Sequence, residues 1–209
     1  MFIIINILQV KRKKDRWVLM FENNCTLELD AEIIVRNNFR IGSEISPEVI
    51  DRLSNEDKFL SAYKLALRWL LHGKKTRKEI YIRLTHNDIN DTIANKVCDK
   101  LEEAGKLNLF EFATIYVKDK IKFSNYGPAL IKQHLMIKGV SEDLSDEVIR
   151  QYYTAEQERE KIIKVIRKRN RVKSNHTPQK LIAFLIRQGF STTLIREVLK
   201  NKLDLSIDE

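Results

Sequence analysis

The chain has 209 residues, 43% hydrophobic and 32% charged, with a formal net charge of +9 and only six glycines and three prolines. That composition is enough for a core and too poor in turn formers for a β-rich or disordered chain, so a helix-rich globular protein is expected. Cys25 and Cys98 form no C-x-x-C pair, which points to neither a disulfide framework nor a zinc site, and no window approaches the ~18 apolar residues of a membrane-spanning helix.

The N-terminus opens with the apolar run Phe2–Val10. Its positive charges, Lys11 to Lys14, follow the run instead of preceding it, so a β-strand fits better than a secretory signal. A turn at Lys13-Lys14-Asp15 leads to a second strand, Arg16–Phe21. Another turn at Glu22-Asn23-Asn24 leads to a third, Thr26–Leu29. A short helix from Ala31 to about Asn38, ending near Gly42, completes a small β-meander over residues 1–50. Pro47 and the polar stretch to Asp57 are expected as a link, with 51–57 as the linker proper.

From there to the end the chain repeats itself. At a shift of 51 and then 50, Ile80, Ile131 and Leu181 coincide, as do Leu84, Leu135 and Leu185. The register continues without a gap through Ile89, Val140 and Phe190, through Ile93, Leu144 and Leu194, and through Val97, Val148 and Val198. Spacings of four put each pair on one helix face. Gly139 and Gly189 suit a helix C-terminus, and Pro128 and Pro178 suit a first turn. Thr76 with Glu79 reads as a capping box. The expected fold is mainly α: three tandem three-helix repeats in an elongated curved array, at 58–105, 106–153 and 154–209, behind the β-rich segment.

The chemistry of an enzyme is missing from the pattern. His72, His86, His134 and His176 make no metal-binding spacing, and His86 and His134 read as surface polar residues. Gly73-Lys74-Lys75-Thr76 lacks the upstream glycine and strand of a phosphate loop. No catalytic residue, cofactor or metal ligand is assigned, and a non-enzymatic protein is expected.

Charge carries more information. Residues 154–209 hold thirteen basic and seven acidic side chains, whereas residues 1–50 hold seven of each. Lys161, Lys164, Arg167, Lys168, Arg169, Arg171 and Lys173 lie within one helix with no acid among them, and Lys161, Lys164, Lys168 and Arg171 form one stripe. Lys74, Lys75, Arg77 and Lys78 make a second cluster at the start of a middle helix. An ordinary solvated face mixes signs, so these residues are the candidate contacts for a polyanion or an acidic partner. Aromatics such as Trp69, Tyr81, Tyr126, Tyr152 and Tyr153 read as packing residues, without base-specific readout.

Three local signatures resemble the bacterial RecX family. Ala66-Leu67 ahead of Lys75-Thr76-Arg77-Lys78-Glu79-Ile80 and Leu84 is similar to the family's alanine-leucine, arginine-x-serine and glutamate-leucine run. Leu107-Asn108-Leu109-Phe110-Glu111-Phe112-Ala113 with Tyr116-Val117 is similar to its "L-N-D-x-x-F-A-x-x-Y-V" stretch. The third signature is Gly127, Ile131, Leu135 and Lys138-Gly139-Val140, echoed by Arg187-Gln188-Gly189-Phe190. Leu109 stands where the family has aspartate and Thr76 where it has serine. The resemblance implies a cytoplasmic regulator of the RecA recombinase that acts inside the groove of the RecA filament on single-stranded DNA. Such proteins restrain strand exchange, ATP hydrolysis and the SOS coprotease role, and some also bind DNA. On this reading the chain is a monomer without a membrane partner, and its own DNA binding is weak and sequence-blind. The competing expectation is a helix-turn-helix-like transcriptional protein, which would bind duplex DNA at discrete sites.

Overall fold

The computed structural model describes residues 1–172 and 177–204, with only the backbone path given for 170–172 and 201–204. The elements in order are β1 (Phe2–Gln9), β2 (Arg16–Phe21), β3 (Thr26–Asp30), α1 (Ala31–Arg36), β4 (Glu44–Ile45) and α2 (Pro47–Leu71). Then come α3 (Arg77–Thr85), α4 (Asp91–Glu103), α5 (Leu109–Phe123), α6 (Pro128–Ile137), α7 (Glu142–Tyr152), α8 (Ala155–Val172), α9 (Pro178–Arg187) and α10 (Thr192–Asp204). They form two compact units, residues 1–73 with 80–106, and residues 74–79 with 107 onward.

In the first unit an antiparallel sheet of order β3-β2-β1-β4 covers α1 and the start of α2. Alternation sends Leu19, Phe21 and Leu29 into the core, together with Ile4, Ile33 and Leu53, all essentially inaccessible. The pairing of β1 with β2 slips between Ile4↔Phe21 and Asn6↔Met20, so the extra residue Ile5 faces outward and Ile4 stays buried. β4 is a strand the hydrophobic pattern could not show, because two residues carry no alternation. It forms where Gly42, at φ +88°, turns the chain back along Phe2 and Ile3.

Residues 51–57 are not a linker. They belong to α2, which starts at Pro47 and runs for 25 residues. The stretch looks polar because its chief buried residue besides Leu53 is Asp57. Its Oδ1 accepts the Asp30 backbone N–H and an Arg16 N–H, each at 2.7 Å. Asp30 in turn caps α1 by accepting from Glu32 N, and it pairs with Lys64 Nζ at 2.7 Å. A buried carboxylate joins sheet, α1 and α2, and satisfying its partners requires α2 to begin this early.

The repeat is visible bond by bond. The middle helices α3, α6 and α9 end on Asp88, Gly139 and Gly189, the three residues of one repeat column. Their φ angles are +59°, +90° and +83°. In each copy the next N–H reaches back to the same carbonyl column: Ile89 to Leu84, Val140 to Leu135, Phe190 to Leu185. This six-to-one bond closes the helix end and turns an apolar side chain inward. Val140 and Phe190 are buried accordingly, and Ile89 half so. The capping box at Thr76 forms in both directions, with Glu79 N donating to Thr76 Oγ1 and Thr76 N donating to Glu79 Oε2. Pro128 and Pro178 sit in first turns.

Within the second unit, α9 ends against the start of α6. Gly127 N donates to Gln188 O at 2.7 Å and Ala129 N donates to Gly189 O at 3.1 Å. A Cβ on Gly127 would come within 2.3 Å of the Gly189 backbone, and one on Gly189 within 2.2 Å of Leu130 N. In α8 the buried Glu158 accepts Ser191 N at 2.6 Å, holding the turn before α10. Burial pushes this carboxyl up from its ordinary value, opposed by the Ser191 N–H.

Three stability predictions follow from these contacts, all read by urea unfolding. Gly189→Ala combines a left-handed backbone with a backbone clash and is expected to cost about 3 kcal/mol, whereas Gly42→Ala, in open space, should cost about half that. Asp57→Ala leaves the Arg16 guanidinium and the Asp30 N–H without their acceptor and should cost about 2 kcal/mol or more. For Glu158 a raised folded-state pKa means that its contribution is fully present below the unfolded value and lost as pH rises through the folded one. Glu158→Gln, which keeps an acceptor oxygen, should therefore stabilise the protein at about pH 8 and lose that advantage by about pH 4.

Candidate interaction site

α8 is set up by its own first turn. Thr154 and Gln157 form a reciprocal capping box, with Thr154 N donating to Gln157 Oε1 and Gln157 N to Thr154 Oγ1. Glu158, Ile162, Val165 and Ile166 then fall on one face and bury against α9 and α10. Acids Glu156, Glu158 and Glu160 occupy its N-terminal turns and bases its C-terminal half, which suits the helix dipole. The dipole explains the order of signs; it does not explain why no acid falls among the cations from Lys161 to Arg171.

The structure divides those cations. Lys164, Arg167 and Lys168 are exposed. Lys161 is half-buried, with Nζ donating to Ser124 O at 2.6 Å, and burial, then the neighbouring Lys164 charge, lowers its pKa. Arg169 lies with its guanidinium 4.1 Å over the Phe184 ring, and its buried Nε has no hydrogen-bond partner. For Arg171 only the helical backbone is described, and Lys173 lies outside the described residues, as does His176. The expected stripe thus has Lys164 and Lys168 at the surface, while Lys161 is anchored at its N-terminal end.

The cluster before α3 is partly neutralised. Lys74 Nζ pairs with Glu111 at 2.8 Å, Lys75 and Arg77 are half-buried, and Lys78 is exposed. Arg77 makes further interactions of its own. Lys78 also packs its side chain beside Gly139, so that a Cβ there would sit 3.2 Å from Lys78 Cβ.

A group that the spacing did not single out gathers at the corner of α5 and α6. Tyr116 Oη and His134 Nδ1 are 3.2 Å apart, and the Tyr126 ring meets the imidazole edge-on at 5.3 Å. Lys120 Nζ stands 5.1 Å from the Tyr116 ring centre and 5.7 Å from that of Tyr126. Lys138 Nζ lies 5.7 Å from Tyr116 and pairs with Glu79 at 2.5 Å. Burial, then Lys120 and Lys138, holds His134 below the usual imidazole range, so it is neutral near pH 7. His86 is exposed, in line with a surface role, whereas His134 is half-buried among these rings. The four-residue step from Tyr116 to Lys120 was legible, but Tyr126 and His134 reach them only through the α5–α6 turn.

Among the described residues no group of three or more His, Cys, Asp or Glu side chains could hold a metal ion. Among them also, no helix is long and apolar enough to cross a membrane. What α8 and the α5–α6 corner offer is cationic and aromatic surface, suited to binding.

Residues 111–149, which span most of α5 to α7, match the family described as "RecX, second three-helix domain". The chain is 25% identical over 205 residues to the regulatory protein RecX of Clostridium beijerinckii, covering 95% of each chain. It is 28% identical to that of Streptococcus uberis, covering 98% of this chain and 80% of the relative. Among solved structures, a regulatory protein RecX superposes with a TM-score of 0.77 over 96% of this chain and all of the other, at 24% identity, a likeness of fold. RecX from Lactobacillus salivarius superposes with a TM-score of 0.61 at 27% identity, over 72% of this chain and 99% of the other. The repeat bonds, the helix order and these matches agree: along nearly its whole length the chain is similar to proteins of the RecX family.

Proposed function

We propose that this chain is a non-enzymatic, cytoplasmic regulator of the RecA recombinase, binding the RecA filament on single-stranded DNA and restraining its ATPase, strand-exchange and coprotease activities. Similarity over nearly the whole chain to relatives that carry the name regulatory protein RecX supports the regulatory part of this reading. The observation that carries the contact surface is the exposed trio Lys164, Arg167 and Lys168 on α8, whose opposite face is committed to the core. Among the described residues none of the three pairs with a carboxylate, so their charge is available to a polyanion or an acidic protein surface.

The helix-turn-helix alternative has less in its favour. In a DNA-reading module the turn between the second and third helices leaves the last helix free to enter a groove. Here the turn at Gly189 is packed against Gly127 and Leu130 of the preceding copy, and the turn at Gly139 against Lys78. Those corners serve stacking between copies.

The test is RecA ATPase on single-stranded DNA with substoichiometric protein added. A fall in rate is expected, and an unchanged rate and filament length would refute the proposal. Replacing Lys164, Arg167 and Lys168 together by glutamate should weaken the effect by about tenfold or more, with a shallower salt dependence. Lys74→Glu, which removes a cation already paired with Glu111, should change it by less than about threefold.

A further inference from the structure

We propose that the outer face of the N-terminal sheet is the contact surface of a homodimer, in which two copies pack face to face with their strands running in opposite directions. The proposal goes beyond the regulatory reading and does not rest on it, and it departs from the monomer that the family resemblance implies.

The composition of that face is the first observation. An antiparallel sheet with one side on a core ordinarily alternates apolar inward and polar outward. β1 and β2 do not. Leu19 and Phe21 point into the core, so the pairs Asn6↔Met20 and Leu8↔Val18 point away from it. Ile3 points outward with them, opposite Glu44, while its neighbours Phe2 and Ile4 face the core, and the bulge adds Ile5. Ile3, Ile5, Leu8, Val18 and Met20 therefore share one face, and none of them belongs to the core cluster or packs against it. Ile5 is 45% and Leu8 49% exposed, which marks an apolar strip that a partner can cover. Thr26 and Glu28, opposite Met20 and Val18, end the strip on the β3 side.

The second observation is the charge at the two ends of this strip. The turn from β1 to β2 carries Lys11, Arg12, Lys13 and Lys14 in a row, all exposed, followed by one acid, Asp15. Among the described residues only Lys13 of the four has a carboxylate near it, Glu28 at 3.7 Å. The opposite end carries Glu22, whose N–H donates to Ile3 O at 3.2 Å, and Glu44, which pairs with Ile3. Both carboxylates are exposed, and among the described residues neither has a cationic partner.

This arrangement selects the occupant. A strip with cations at one end and carboxylates at the other is self-complementary under a two-fold axis that crosses the strands, which brings each basic tip to Glu22 and Glu44 of the second copy. A two-fold axis along the strands would set tip against tip and is opposed by repulsion. An acidic peptide or an anionic bilayer laid on this face would suit the tip but meet like charge at the far end. Aligned sheet packing then places Ile5 and Leu8 of one copy on the apolar strip of the other. Five partly exposed side chains per copy make a small interface, below about 1,200 Å² in total, so the dimer is weak and depends on concentration.

The experiment is sedimentation velocity of the full chain from about 1 to about 300 μM, without RecA or DNA. A monomer–dimer equilibrium with a dissociation constant on the order of 10 μM is expected. Leu8→Asp, at a half-exposed position, should weaken dimerisation by about tenfold or more while circular dichroism and urea unfolding match the parent chain. Glu22→Lys with Glu44→Lys should weaken it by about fivefold, and Lys11→Glu with Arg12→Glu by as much. The quadruple variant leaves the net charge unchanged and should dimerise within about twofold of the parent, because each end again meets the opposite sign. A monomer at every concentration, growth beyond the dimer, or a quadruple variant no better than the two double variants would overturn the proposal. Because neither RecA nor DNA is present, each of these results leaves the ATPase test of the regulatory reading independent.

Discussion

Every copy of the helical repeat depends on closing its middle helix with one left-handed residue. The last carbonyls of a helix have no partner within it, and in this chain the same bond satisfies them three times, from Ile89, Val140 and Phe190 to Leu84, Leu135 and Leu185. That bond fixes the angle at which the third helix leaves, because it turns an apolar side chain inward beneath the corner. The third helix then starts on Asn90 or Ser141, whose side-chain oxygens accept from Ile93 and Leu144. Cores of the second and third copies fill the space the corners define, around Leu135 and Leu185, both inaccessible to solvent.

The residue at that left-handed position differs with what lies beside it. Gly189 has the α6 backbone against it, closer than any Cβ permits, and Gly139 has Lys78 at a distance a Cβ would only crowd. Asp88, at the corresponding place in the first copy, keeps a side chain and pays only the conformational cost of positive φ. The hydrogen bonds from Gly127 and Ala129 to Gln188 and Gly189 also satisfy N–H groups at the start of α6 that no side chain caps. A single contact therefore completes two helix ends, and it is the reason both glycines are present.

Function is placed on what this framework leaves uncommitted. α8 spends Glu158, Ile162, Val165 and Ile166 on the core, and helical periodicity then leaves Lys164, Arg167 and Lys168 in solvent. Lys161 and Arg169 look equivalent to them in the sequence but are occupied by Ser124 O and the Phe184 face. A charge run is thus a poor guide to which charges are free, since a long side chain can bury its stem and meet an acceptor at its tip.

Much of the fold was legible in residues 58–200, because a period of fifty residues with apolar steps of three and four can only be a helical repeat. Columns such as Leu84, Leu135 and Leu185 mark core positions by their spacing alone, and Thr76 with Glu79 marks a helix start. The sheet was legible as three strands, and the match to the RecX family rests on residues 111–149 that were already recognisable by their motif. What only the tertiary structure decided are the features made by residues far apart in the chain. β4 is too short to have a pattern of its own, and residues 51–57 read as a link because Asp57 is polar, although its partners Arg16 and Asp30 bury it. The corner of Tyr116, Lys120, Tyr126 and His134 likewise exists only after the α5–α6 turn has folded. Periodicity reports which face of an element is buried; it carries no record of which distant group waits there to accept a hydrogen bond or a charge.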